Sequence, residues 1–177
     1  MKKETYEHMI NTVSAKPMLA KGIPLFNSII TKAIYVAYPC LLIYLFFWSP
    51  SLKFTLEYFL YSDFFDALAV PLVCFVLLTL LRKAINAPRP YEVFETQPLI
   101  PKNTKGKSFP SRHVFSIFVI AITFWFKCPF SQIAVCIFVL GVMLAVLRVL
   151  SGVHFTKDVV AGALLGIFLA ELGFYLL

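Results

Sequence analysis

The chain is 177 residues long, 60% hydrophobic, 16% aromatic and only 14% charged, with a net charge of +7. An ordinary soluble domain is about 45–50% apolar and about 25% charged, and one small core cannot enclose 19 Phe and 8 Tyr. Disorder and a lone water-soluble globule are excluded, which leaves a single small domain over residues 1–177 that crosses a membrane several times.

In chain order, the N-terminus MKKETYEHM runs into mixed polar sequence, so no cleavable leader is expected. Residues 1–22 are predicted to form an amphipathic surface segment. A membrane-spanning helix needs about 20 mostly apolar residues. Five segments qualify, running from Ile23 or Ser28 to Trp48, Phe64 to Leu81, Ser111 to Phe126, Pro129 to Leu147 and Phe155 to Leu177. Pro39 and Pro71 fall inside spans and are expected to kink them. Residues 49–63 are aromatic and mixed, as in an interfacial segment. Residues 82–110 form the longest polar loop, with five prolines. The predicted fold is therefore an all-α, polytopic bundle of about five transmembrane helices plus the N-terminal segment.

Cys40, Cys74, Cys128 and Cys136 each lie in an apolar run with no CxxC pair, as small packing residues do. The arginines are distributed differently. All four (Arg82, Arg89, Arg112 and Arg148) fall within residues 82–148, with His113 and His154 in or just after that stretch. With five spans, parity brings the end of the second, the start of the third, the end of the fourth and the start of the fifth to one membrane face. The arginines, Ser111, both histidines and Asp158 all sit at those places.

These residue types suit phosphoryl transfer. His154 and Asp158 are four apart and share a helix face. A carboxylate there fixes one imidazole nitrogen and leaves the other free as a nucleophile or base. Ser111 follows Pro110 and opens an apolar helix, so it reads as an N-cap beneath which backbone N–H groups could meet an anion. His113, in the first turn, is placed to protonate a leaving group. Arginine is the side chain suited to bidentate phosphate recognition. A phosphohistidine intermediate formed without a metal fits this set, with positioning and electrostatics carrying most of the catalysis.

The pattern resembles the type 2 phosphatidic acid phosphatase family, the lipid phosphate phosphatases. That family has three blocks: Lys-x6-Arg-Pro, Pro-Ser-Gly-His and Ser-Arg-x5-His-x3-Asp. Here they read RKAINAPRP, PSRH and LRVLSGVHFTKD, in order and over residues 82–158. The resemblance implies that His154 is the nucleophile, Asp158 its orienting partner and His113 the acid. It implies that Arg82, Arg89, Ser111 and Arg148 hold the phosphate. Three positions depart from the pattern. Arg82 replaces Lys, Leu147 replaces Ser, and Arg112 replaces Gly, where it could narrow the site or add a phosphate contact.

The expected substrate is a membrane lipid bearing a terminal phosphate or diphosphate: phosphatidate, phosphatidylglycerophosphate or a polyprenyl diphosphate. No cofactor, metal or nucleic acid is expected. A metal site built from His113, His154 and Asp158 conflicts with the ring of arginines. The alternative is a non-enzymatic protein on the same scaffold that binds or transports anions or lipid phosphates. Lys102, Lys105 and Lys107 read as a solvated, lipid-attracting loop, and Arg112 with residues 91–109 as the place where specificity resides. Gly162 and Gly166 form a GxxxG suited to close packing within the bundle, or else to a homodimer. The expected location is the cell membrane, as a multi-pass protein. Nine lysines lie on the site's face against Lys53 and Lys127 on the other. That count points the site to the cytoplasm, whereas sites of the resembled family generally face away from it, and both topologies stay open.

Overall fold

The computed structural model describes residues 3–48 and 62–176, and among them all regular structure is helical. The elements are α1 (Lys3–Ser14), α2 (Pro17–Trp48), α3 (Asp63–Ile85), α4 (Pro90–Phe94), α5 (Arg112–Lys127), α6 (Ser131–Leu150) and α7 (Thr156–Leu176). The interfacial segment expected over 49–63 lies outside the described residues except for Ser62 and Asp63, which cap and open α3.

Four of these helices, α2, α3, α6 and α7, are long and apolar enough to cross a membrane. The fifth expected span is α5, which has 16 residues. At 1.5 Å per residue it extends about 24 Å, short of a hydrocarbon core of about 30 Å. Its burial explains how a short helix serves. From Val114 to Phe124 all but Ser116 are buried, and the other long helices pack around it. The outer helices instead turn Leu72, Leu80, Val139, Leu164 and Phe168 outward, as a lipid-facing surface requires.

The N-terminal boundary differs from the expected one. The surface segment ends near residue 16, and α2 takes up residues 17–22 because Pro17 can start a helix without losing a backbone bond. Helix α2 then continues through Pro24 and Pro39, and α3 through Pro71. Gly162 and Gly166 are used inside the bundle. A Cβ at Gly162 would lie 2.8 Å from the Ser111 carbonyl oxygen, and one at Gly166 2.8 Å from that of Phe115. The small residues let α7 lie directly against the start of α5.

One end of the bundle is fastened by charge. Lys127, closing α5, holds Asp63 at 2.8 Å and Asp66 at 2.6 Å on the first turn of α3. Helix α5 therefore runs from this clamp to the opposite end, where α3 finishes, α6 finishes and α7 begins.

Candidate active site

The site lies at that opposite end and is assembled largely by one loop. Residues 86–111 fold back over the bundle. Glu92 accepts the N–H of Arg89 at 3.0 Å and that of Gly106 at 2.9 Å. The Ser108 N–H donates to the Ala87 carbonyl at 2.8 Å, and the Leu99 N–H to the Ser151 carbonyl at 3.0 Å. Arg82 donates to the carbonyls of Lys107, Ser108 and Pro110, and Arg89 to those of Gly106 (3.1 Å) and Val153 (3.3 Å). Both guanidiniums, expected to hold phosphate, thus spend donors on backbone carbonyls, Arg82 on three of the loop and Arg89 on one of the loop and one of the turn before His154. Their charge stays at the site, since each is nine-tenths buried.

His154 and Asp158 meet as the spacing requires. His154 Nδ1 lies 3.5 Å from Asp158 Oδ2, and both residues are buried. The carboxylate also serves the helix, because Oδ2 accepts the Phe155 N–H at 3.0 Å, just before α7. A third group joins them that the motif does not contain. Ser108, fully buried, donates its hydroxyl to Asp158 Oδ2 at 2.6 Å and lies 3.4 Å from His154 Nδ1. Its position two residues ahead of the PSRH block was the only signal available in the sequence, and no spacing rule points to it. Burial holds the His154 imidazole below its usual pKa. The Asp158 hydrogen bond opposes that shift, and the charges of Arg148 and Arg89 reinforce it. At neutral pH the ring is therefore uncharged, with Nδ1 turned to Asp158 and Nε2 free.

The second histidine is oriented from the other side. Arg148 Nη2 lies 3.0 Å from His113 Nδ1. A guanidinium can only donate, so Nδ1 accepts and the neutral ring carries its proton on Nε2. Arg148 is buried and is steadied by Asn27 Oδ1 at 3.3 Å, from α2. Asn27 is a further residue the sequence reading missed, although an amide within an apolar span is itself a signal. Ser111 occupies the N-cap position of α5, but its hydroxyl makes no capping bond there. Instead its N–H donates to the Asp158 carbonyl at 2.8 Å. Ser111 Oγ and Arg148 Nε are both buried and have no hydrogen-bond partner among the described residues.

Arg112 is exposed and, with His113 and Ser116, lines the polar end of a cavity of about 410 Å³. The rest of its wall is mainly apolar, including Ile34 and Tyr38 of α2, Phe75 of α3, and Ile117 and Ile120 of α5. Among the described residues no group of His, Cys, Asp and Glu is arranged to hold a metal.

Helix α1 also reaches the site. Tyr6 is fully buried and donates its hydroxyl to the Gly152 carbonyl at 3.0 Å. Its ring lies 5.0 Å from Phe94, which meets Phe155 edge-on at 5.9 Å. Gly152 is left-handed (φ +73°), and a Cβ there would strike the Tyr6 hydroxyl. The turn leading to His154 is thus closed over by the N-terminal helix.

Comparison with known proteins follows the same lines. Among curated proteins none matches this sequence. The crystal structure of Aquifex aeolicus LpxE superposes with a TM-score of 0.70 at 26% identity, covering 97% of this chain and 93% of that one. A transmembrane PAP2 type phosphatidylglycerolphosphate phosphatase from Bacillus subtilis gives a TM-score of 0.67 at 22% identity, covering 98% and 85%. The family model of the PAP2 superfamily matches residues 58–177, a segment that contains all three blocks and both histidines. The chain therefore belongs to the PAP2 superfamily and is a phosphatase of that kind.

Proposed function

We propose that the chain is an integral-membrane lipid phosphate phosphatase of the cell membrane that works through a phosphohistidine on His154. The observation that carries this reading is that two donors at the site, Ser111 Oγ and Arg148 Nε, are buried without a partner among the described residues, beside two oriented histidines; the third such atom at the site, Asp158 Oδ1, is an acceptor. Buried polar atoms are ordinarily satisfied, and a phosphate oxygen would satisfy both donors.

The chemistry follows from the two tautomers. His154 Nε2 attacks phosphorus and its Nδ1–H stays directed at Asp158 Oδ2. The bond from phosphorus to the leaving oxygen breaks, and His113, protonated on both nitrogens once the phosphate anion is bound, gives that oxygen its Nε2 proton and is left as the neutral ring. His113, now basic, takes a proton from water as the water attacks the phosphohistidine. Inorganic phosphate leaves, and both rings return to their starting states. Arg148, Arg89 and Arg82 place fixed positive charge around the phosphoryl oxygens without reorganising. Asp158 and Ser108 stabilise the positive charge that develops on His154.

The cavity beside His113 and Arg112 favours a lipid as substrate. Its polar end lies at the acid that would protonate the leaving oxygen, and its apolar wall continues along α2 and α5. Five cations near the two histidines make the site hostile to a divalent metal, so the reaction is expected to be metal-independent.

The test is phosphate release by purified, detergent-solubilised protein from phosphatidate, phosphatidylglycerophosphate and a polyprenyl diphosphate, with EDTA present. Release that persists in EDTA and vanishes in His154→Ala supports the reading. A folded protein that releases phosphate from none of them moves the conclusion to a binding or transport protein on the same scaffold.

A further inference from the structure

Two contacts hold the Arg148 guanidinium. Nη1 donates to Asn27 Oδ1 at 3.3 Å, and Nη2 lies 3.0 Å from His113 Nδ1. Nε, on the same edge of the group as Nη2, is buried with no partner among the described residues. That edge is a fork with which arginine takes a phosphate bidentately. His113 is thus engaged with one of the fork's two nitrogens.

A guanidinium has donors only, so it bonds Nδ1 only while that nitrogen keeps its lone pair. Bound to Arg148, His113 holds a single proton, on Nε2. An acid that ends as a neutral ring must start with a proton on each nitrogen. His113 therefore cannot be that acid and the acceptor of Arg148 at once. The charged and titratable groups around it are Arg148 from α6, His154 ahead of α7, Lys102 from the loop and Arg112 beside it, with Tyr35 and Tyr38 of α2 on the same cavity. None of these is a carboxylate, so the counter-charge for a second proton on the ring has to come from the substrate.

We propose that Arg148 passes from His113 to the phosphate when substrate binds, pivoting on Asn27, and that this exchange turns His113 into an acid. Asn27 is the positioning residue. It keeps Nη1 while Nη2 leaves His113 Nδ1 and joins Nε on the phosphoryl oxygens. The freed Nδ1 takes one proton from water and Nε2 keeps its own, so the ring becomes a cation beside the bound anion. Without phosphate the acid is off. When inorganic phosphate departs, Nδ1 returns its proton to water and Arg148 returns to Nδ1. The inference rests on the phosphatase reading and adds to it how the acid is armed. The pivot lies ahead of residues 58–177, the stretch that the superfamily shares.

The experiment counts the protons taken up as inorganic phosphate binds. Full-length, detergent-solubilised protein is titrated by calorimetry in two buffers of different ionisation enthalpy. The titration is run at about pH 8, where an ordinary imidazole is neutral and phosphate carries close to two charges. The parent protein should take up about one proton per phosphate. His113→Gln cannot become a cation and should bind phosphate without uptake. Asn27→Ala should weaken phosphate binding about tenfold, as the loss of a hydrogen bond to a charged group does, and lower the uptake per bound phosphate. Asn27→Asp, which keeps an acceptor in place, should restore both.

No binding or no uptake in the parent protein overturns the proposal. So does uptake that persists in His113→Gln, since the proton then sits on phosphate or on His154. A merely structural Asn27 would lower affinity and leave the uptake per bound phosphate at the parent value, and that result also overturns it. Lipid hydrolysis is assayed separately. Folded protein that takes up the proton through His113 but hydrolyses no lipid keeps the exchange and loses the phosphatase reading. Hydrolysis without uptake keeps the reading and overturns the exchange.

Discussion

Ser108 shows how much of this site depends on single atoms. Its hydroxyl and the Phe155 N–H both converge on Asp158 Oδ2, the oxygen that faces His154. Removing the hydroxyl leaves a buried carboxylate short of a donor and free to rotate. Ser108→Ala should lower kcat about tenfold with little change in KM, the size expected for losing a hydrogen bond to a charged group. Steady-state kinetics on any accepted lipid would show it, and an unchanged kcat would remove Ser108 from the machinery. The acid limb of the pH dependence is set by His154. His154 is held below its usual pKa by burial, so its neutral, nucleophilic form persists below the ordinary histidine range. The acid limb of kcat/KM should therefore lie under pH ~6.5. That limb is not visible in composition, because burial and neighbouring charge come from the fold.

At the scale of elements, the sequence was informative where chemistry follows spacing and silent where it follows contact. The apolar runs located the long helices, and three short blocks placed His113, His154, Asp158 and the arginines at one end of the bundle. Burial of α5 on nearly every face was not legible. Its 16 residues are as apolar as those of a lipid-facing span, and only packing distinguishes the two. Nor does Tyr6 carry a signal, since a tyrosine in a polar N-terminal stretch ordinarily lies in solvent. In the structure it bonds to the Gly152 carbonyl, two residues before His154. Helix α1 is therefore a buttress for the turn that leads to His154. Tyr6→Phe keeps the ring against Phe94 and removes only that bond, leaving a buried carbonyl unpaired. It should lower kcat several-fold while KM and the helical circular dichroism stay unchanged. A kcat equal to that of the parent protein would make α1 a cover with no part in positioning.

At the scale of the whole molecule, the bundle is polarised along its length. Outward apolar side chains match a lipid surroundings, a lysine–aspartate clamp closes one end, and the other end concentrates the cations and both histidines. The superfamily's match begins at residue 58, so α1 and α2 lie ahead of it. Yet α2 supplies Asn27, which steadies Arg148, and Ile34 and Tyr38, which wall the cavity. The two histidines with their partners and much of the cavity wall are thus written in separate stretches of chain. Selection can revise the second without touching the first. Chains that share residues 58–177 closely could diverge in the lipids they accept. Grafting a relative's counterpart of residues 17–48 onto this scaffold should transfer tail preference while His154 remains essential. The order of reactivity among lipids of different chain length, measured before and after the graft, would show it.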